Sequence, residues 1–520
     1  MSPMPRPEDT SMQLAYTPAE RRQRFNVLLV IADDLGARHL PFYGYERDTM
    51  PLLQRRLEGA TLFTNCHSPV GWTLPGCASI ITGQLPGGHG LYDHNNRFQK
   101  PKLGHYLGED YERVGIANNG NVVSDTIPLE YLESLGFERR PAKWKSFGWD
   151  DGFDRYDWIH REDHEKPFVI AREFLESRKG ADSPWFLSFH SNLVHDYHMG
   201  RDYYLDVGDW IDGEIHPGLR DVRDGPEIWR NPPAGVDWEQ EKRELVAKYD
   251  SGVRGYDARL DELFRLVDLD STIVVFVSDH GEGFEPERGR VHHCGRLHGD
   301  LTHVPLAVWL PPPLRSHYEV PLREEQQCST IDVVPTILTL LGDAVAGFPG
   351  RFLFDLPPHR RLRGEDRGYL YWNEDCARES YDTCSIEVNS ETTYPLKRIS
   401  VRRNDTTREY SYNLAYDPLE HENLLDVPEV EGEPVSFVVA VNDEEELRNN
   451  FLASAVARGG RHEILLVDNS SNSRYESISA LYSEAMEKVK NDLVLFVHQD
   501  LYLYDGWEQR FFAGLQALEA

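Results

Sequence analysis

Short, wholly apolar runs alternate along the chain with longer stretches of helical periodicity. FNVLLVIADD, WFLSFHSN, STIVVFVSDHGE and HVPLAVWLP are rich in Val, Ile and Phe. Runs of this length and composition predict strands buried on both faces. MPLLQRRLEG and CASIITG carry the apolar spacing of helices, and WEQEKRELVAKYDSGVRGYDARLDELFRLVDL is helical in period throughout. IDVVPTILTLLG, residues 331–342, predicts a helix with Pro in its first turn and Gly at its end. Buried strands alternating with helices imply an α/β fold, a mostly parallel sheet covered by helices on both faces. In such sheets the ligand site lies beyond the carboxyl ends of the strands. Asp33, Asp34, Asp279 and His280 all fall at strand ends of this kind.

The same patterning divides the chain. Residues 1–24 read as an irregular arm, 25–350 as the main domain, and 351–428 as a smaller, more irregular subdomain with strand-like YPLKRISVRR and REYSYNLAYD. EVEGEPV (429–435) has the charge and the Gly and Pro of a linker. After it the pattern restarts: SFVVAVNDEEE, HEILLVDNSS and DLVLFVHQDLYL predict strands, separated by the helical LRNNFLASAVA and YESISALYSEAMEKV. Residues 436–520 are thereby expected to form a partial second α/β domain.

Composition narrows the function classes. With 87 acidic against 55 basic residues in 520, the net charge is −32, which repels nucleic acid and anionic membrane surfaces. The N-terminal 25 residues hold no apolar signal core, and runs such as VLLVIA are too short to span a bilayer, so a soluble, cytoplasmic protein is expected. Six Cys without patterned spacing do not make a disulfide framework, and Cys376 and Cys384 read as ordinary thiols.

Two adjacent carboxylates after a buried strand are costly to desolvate unless positive charge sits between them. For Asp33–Asp34 a solvated turn and a divalent cation both answer that requirement. Asp279-His280-Gly281-Glu282 poses the same choice with an imidazole added. Two such clusters on separate strands, with a hydroxyl candidate between them in sequence, favour a metal site. That candidate lies in GWTLPGCASIITG (71–83). Thr73 before Leu74-Pro75-Gly76 reads as a helix N-cap, and equally as a nucleophile near free N–H groups that an anionic ester would meet. Cys77 lies a turn further on and is expected to pack.

From NVLLVIADDLG through TMPLLQRRLEGATLFTNCHSPVGWTLPGCASIITGQLPGGHG, FLSFHSNLVHDYH, TIVVFVSDHGE, HGDLTHVPLAVWLP and STIDVVPTILTLLG to YDPLEHENLL, the chain resembles the sulfatase family of the alkaline-phosphatase superfamily over residues 25 to about 428. The resemblance implies that fold, and an enzyme that cleaves or transfers a sulfate or phosphate ester. The family signature places a Cys or Ser, converted to formylglycine, two residues before a Pro and four before an Arg. ASIITG fixes the register, so Thr73 takes the nucleophile position, Pro75 the Pro, Gly76 the small residue, and Cys77 the place of the Arg. No formylglycine is expected, and the hydroxyl itself would be esterified. By the same resemblance, Asp33, Asp34, Thr73, Asp279 and His280 would hold one divalent cation, with Ca, Mg, Mn and Zn all chemically open. His195 takes the family's acid/base or anion-binding position. His298 takes a position that contacts the transferred anion and leaving group. His303 would bind the anion or complete a second metal site. The family's Lys after the nucleophile helix is replaced by GIANNGN, which offers Asn118, Asn119 or Asn121, so the anion pocket carries less positive charge. His292 and His293 read as solvated loop residues.

SFVVAVNDEEE, EILLVDNSSNS and DLVLFVHQDLYLYDGW resemble the start of a glycosyltransferase with the A-type fold, implying nucleotide-sugar contacts from Asp468 and Asp500. Three functions follow: a metal-dependent ester hydrolase or transferase of a small-molecule or glycan ester; a nucleotide-sugar glycosyltransferase with an accessory first domain; or a non-catalytic scaffold.

Overall fold

The computed structural model describes residues 25–92, 97–125, 148–199, 238–285, 290–343, 346–367, 386–403, 405–426, 432–454, 456–457, 460–469, 477–503 and 507–519. The arm at 1–24, Cys376 and Cys384, and most of the linker's first half lie outside them. The chain forms two compact units.

In the first unit the strands are β1 (Asn26–Ala32), β2 (Ala60–Phe63), β3 (Glu112–Ala117), β4 (Arg155–Trp158), β5 (Trp185–Ser191), β6 (Thr272–Ser278), β7 (Leu306–Trp309) and β8 (Arg323–Glu324). They make one sheet in the order β8-β2-β7-β6-β1-β5-β3-β4. β1 runs parallel to β5 and β6, and β7 is antiparallel to both its neighbours. The expected mostly parallel sheet is present, with one reversed strand that the run HVPLAVWLP by itself does not disclose. Burial of β1 is continuous, and successive residues face opposite layers. Val27, Leu29 and Ile31 pack with Leu74 and Ile80 of α2 (Thr73–Thr82) and Val334 and Ile337 of α5 (Val333–Leu341). Leu28 and Val30 pack with Phe168 of α3 (Lys166–Ser177) and Tyr249, Tyr256 and Leu260 of α4 (Trp238–Phe264).

Register decides where the strands stop. Ala32 pairs with Ser191 on one side and Ser278 on the other, and the ladder continues one step, Asp33 N–H to Ser191 O at 3.0 Å and Asp279 N–H to Ala32 O at 3.3 Å. Three chain segments more than 85 residues apart therefore leave the sheet at one level, which brings Asp33 and Asp279 together.

Helix α1 (Pro51–Arg56) starts without a side-chain cap of its own. Its orphan N–H groups at Leu52 and Leu53 donate to Asp257 of α4 at 2.9 and 2.8 Å. Burial nevertheless pushes the Asp257 carboxyl up to about 6, from 3.8. A raised carboxyl contributes stability that is complete below about pH 4 and lost as the pH rises through about 6. A rise of that size is equivalent to about 3 kcal/mol. The stability of Asp257→Asn relative to wild type is therefore expected to improve by up to about 3 kcal/mol between pH 4 and 7, read from urea melts across that range. A flat difference would contradict it.

The region expected to be irregular after 351 is more regular than its sequence reads: Arg361–Arg367, Ile386–Thr393, Leu396–Arg403 and Thr406–Asn413 are strands. Their charged, weakly apolar faces hide the period. The second unit contains three parallel strands, β9 (Val435–Val441), β10 (Glu463–Asp468) and β11 (Leu493–His498), in the order β10-β9-β11. Asp443 caps the helix Glu444–Asn449 through the N–H groups of Glu445 and Glu446, and Phe437, Phe451 and Phe512 belong to the unit's core. Among the described residues no helix is long and apolar enough to cross a membrane.

Candidate active site

Asp33 and Asp34 leave β1 directly. Asp34 adopts φ 67°, a conformation rare for a residue with a side chain. The turn is locked by Tyr249, whose hydroxyl donates to the Asp34 carbonyl at 2.6 Å and accepts from Gly36 N–H at 3.0 Å. Ser278 accepts from Leu35 N–H at 3.0 Å. From β6, Asp279 turns Oδ1 onto the N–H groups of Asp34 and His280 at 3.2 and 2.9 Å.

Thr73 is not the N-cap. Trp72 takes that place, and Thr73 is the first residue of α2. Its hydroxyl lies 3.2 Å from Asp33 Oδ1 and 3.2 Å from His280 Nε2. His280 Nδ1 meets the Gly281 carbonyl at 2.9 Å, a contact in which that nitrogen donates, and Nε2 is the nitrogen that faces Thr73. Asn119 donates to Asp33 Oδ2 at 2.5 Å, while Asn118 accepts from the Asn192 N–H at 3.0 Å. α2 approaches β6 so closely that a Cβ on Gly76 would stand 2.9 Å from the Asp279 carbonyl oxygen and 3.1 Å from its Cβ. Gly76→Val is thus expected to cost about 2–3 kcal/mol and to displace Asp279. Thermal melts with and without added cation would show both effects; unchanged stability and cation response would contradict this close packing.

The site is buried and crowded with charge. Asp33, Asp34, Asp279 and His280 are each 0 % exposed. Burial opposes ionisation of Asp33, but the hydrogen bond from His280 and the fields of His195 and His190 hold its carboxyl well below the usual range. Burial and then the charge of Glu282 push Asp34 well up. Burial and Asp33 lift Asp279 to about 7. For His280 burial is outweighed by Asp279, Asp33 and Asp34, and its pKa rises well above normal.

The structure adds residues that the sequence pattern does not single out. His190, inside the apolar run of β5, stands 3.5 Å from Asp33 Oδ2; a lone His in an otherwise apolar strand is the signal that could have found it. His293 is not a solvated loop residue. It is half-buried, 3.8 Å from Asp34 Oδ1 and 3.4 Å from Glu282 Oε2, with its ring 4.7 Å from that of His280. His292 is also buried, 3.6 Å from Glu282. His195 stacks edge-on to His293 at 5.1 Å, and its Nδ1 lies 3.0 Å from Asp196 Oδ1. Arg161 binds the same Asp196 carboxylate and lies 3.4 Å from His195. A cation absent from the α2 segment thereby arrives from another part of the chain. Cys77 packs as expected, with Sγ 3.4 Å from Asp279 Oδ2.

The His303 Nε2 meets the Thr64 carbonyl at 2.9 Å, its ring packs against Tyr43 and His67, and its backbone bridges to His67. His298 is buried before the short helix Gly299–Thr302, which docks beside Gly281 through the Leu301 carbonyl at 2.8 Å. In the second unit Asp468 and Asp500 are exposed at the ends of β10 and β11. The buried Gln499 between His498 and Asp500 serves the fold, accepting from the N–H groups of Asn442 and Asp443 at 2.7 and 3.0 Å.

The donor set fits a divalent cation. Both Asp34 carboxylate oxygens are buried without a hydrogen-bond partner, which hard-cation coordination would satisfy. Three groups of ligand atoms converge within 4.8 Å: Asp33, Asp279 and His280; Asp34, His280 and His293; and Cys77, His190 and Asp279.

A mostly parallel α/β sheet thus gathers its acidic strand ends around a hydroxyl at a helix start. A sequence model of the family described as Sulfatase matches residues 25–343, and the chain belongs to that family. It is 42% identical over 67 residues to arylsulfatase A of Bos taurus, a match covering 13% of each chain. It is 25% identical over 350 residues to the low-salt glycan biosynthesis sulfotransferase Agl7 of Haloferax volcanii, covering 65% of this chain and 67% of that protein. Its fold is similar to that of the phosphonate monoester hydrolase of Agrobacterium radiobacter, with a TM-score of 0.57 at 18% identity over 77% of this chain and 91% of that one. The family match ends at 343 and gives no support to a glycosyltransferase assignment for the second unit.

Proposed function

We propose that the first unit is a cation-dependent enzyme that hydrolyses or transfers a sulfate or phosphate ester of a small molecule or glycan, with Thr73 as the nucleophile. The observation that carries this reading is the Thr73 hydroxyl, equidistant at 3.2 Å from a carboxylate and an imidazole in a buried cluster. Asp33, Asp34, Asp279 and His280 would hold the cation together with Thr73, and a cation there supplies Lewis-acid polarisation of the ester and a lowered hydroxyl pKa. Thr73 Oγ1 attacks phosphorus or sulfur while its proton passes to Asp33, whose Oδ1 it faces at 3.2 Å. The bond to the leaving oxygen breaks, and His195, oriented by Asp196, donates a proton to that oxygen. Asn119 and Arg161 bring donors and positive charge to the anion's surroundings, and by the family resemblance His298 would contact the transferred anion and leaving group. Water, or an acceptor hydroxyl, then displaces Thr73. The relatives include a sulfatase, a sulfotransferase and a phosphonate hydrolase by name, which supports the class and leaves the ester to experiment.

The test is a matched panel of aryl sulfate, phosphate monoester, phosphodiester and phosphonate, with and without Mn2+ or Ca2+. Cation-dependent turnover of one ester, at a rate well above the others, names the branch. No turnover of any, with or without an added alcohol acceptor, would leave the scaffold reading standing.

For the second unit the parallel order β10-β9-β11, with Asp468 and Asp500 at or just beyond two strand ends, supports a nucleotide-sugar contact surface. Saturable binding of a UDP-sugar in isothermal calorimetry supports that reading, and no binding at millimolar ligand removes it.

A further inference from the structure

Beside Asp279 lie two buried side chains, Cys77 and His190, that the ester chemistry leaves idle. Cys77 Sγ, an Asp279 oxygen and a His190 ring nitrogen lie within 4.8 Å of one another, all buried. His190 is 4 % exposed, and neither of its ring nitrogens makes a hydrogen bond. A buried imidazole in that condition costs free energy unless something else completes its coordination. A cavity of about 20 Å³ opens beside Cys77 and His190, lined for the rest mainly by apolar side chains such as Ile31, Ile81, Trp149 and Phe153, so the space beside the thiol and the imidazole is not filled by protein.

The ligand types separate the two ends of the cluster. Asp33 and Asp34 offer hard oxygens, whereas thiolate, imidazole and a single carboxylate are the ligands of a borderline-soft ion. In tetrahedral zinc geometry a sulfur and an oxygen ligand stand roughly 3.5 Å apart; Cys77 Sγ and Asp279 Oδ2 are 3.4 Å apart.

We propose that Cys77, His190 and Asp279 form a second metal seat, selective for a borderline-soft divalent ion such as Zn2+, with Asp279 bridging to the first. Asp33 Oδ2 lies 3.5 Å from a His190 ring nitrogen, beside the seat. The seat puts positive charge at the inner end of the anion pocket, where α2 carries Cys77 and no basic side chain. It shares Asp279 with the cation site proposed above but needs neither Thr73 chemistry nor turnover to be filled.

The test uses the full chain, stripped of metal and titrated with Co2+ salt. Thiolate coordination gives a near-ultraviolet charge-transfer band that oxygen and nitrogen ligands do not. Wild type is expected to show the band and to bind one equivalent of Co2+ more than Cys77→Ser, which lacks the band while keeping wild-type circular dichroism. His190→Gln keeps the thiol and is expected to weaken binding at this seat at least tenfold. Thr73→Ala is expected to keep the band, whatever its activity, which separates failure of the nucleophile from failure of the seat. Absence of the band in wild type at saturating Co2+, or its persistence in Cys77→Ser, overturns the proposal.

Discussion

Thr73→Ala is expected to lose activity on the preferred aryl ester by about 10³-fold or more, while melting close to wild type. The hydroxyl meets Asp33 and His280 at 3.2 Å each, so its removal deletes about 1 kcal/mol of hydrogen bonding. The backbone of α2 keeps its place. A large kinetic loss with a small stability loss is the signature of a group that acts on the reacting atoms. Thr73→Ser keeps a hydroxyl at the same point and is expected to retain activity within about tenfold of wild type. Turnover in Thr73→Ala equal to wild type would sink the nucleophile assignment, and the wild-type panel decides which ester to use.

Chelation is the second large effect. Four carboxylates in one buried cluster repel one another, and a cation bound only by the folded state stabilises it by about 4 kcal/mol at a thousandfold excess over Kd. Treatment with EDTA is expected to lower Tm by several degrees, and readdition of the ion to restore it. Asp34→Asn sharpens the test through a change of sign. With the cation present, the variant loses a ligand and is expected to melt below wild type. Without it, wild type retains a buried carboxylate whose oxygens have no hydrogen-bond partner, pushed well up by burial and Glu282, and the variant is expected to melt above wild type. Curves that keep the same order under both conditions, or a Tm insensitive to EDTA, would remove the cation from this cluster.

Much of this site is legible in the chain alone. VLLVIA, WFLSFHS and TIVVFVS are predominantly apolar because a parallel strand between two helical layers meets no water on either face. The chain turns polar where such a strand ends, so Asp33, Asp34, Asp279 and His280 announce themselves. Thr73 is visible as a hydroxyl at a helix start, although the N-cap role is not its own: Trp72 holds the extended backbone there, and the Thr73 side chain turns to Asp33.

What local pattern does not contain is which distant segment faces which. His190 sits in the middle of a run that reads as core, and only the register of β5 beside β1 turns its imidazole toward Asp33. His293 reads as loop because its neighbours are polar, yet the chain carries it back over Asp34 and Glu282. Arg161 and Asp196, 35 residues apart, meet at His195 through packing alone. The sequence determined the strands, the order of the acidic ends and the candidate nucleophile, because each depends on the burial of a few consecutive residues. The tertiary structure decided which histidines, cysteine and arginine surround them, because those contacts join residues tens to hundreds of positions apart, and only strand pairing and layer packing set such distances.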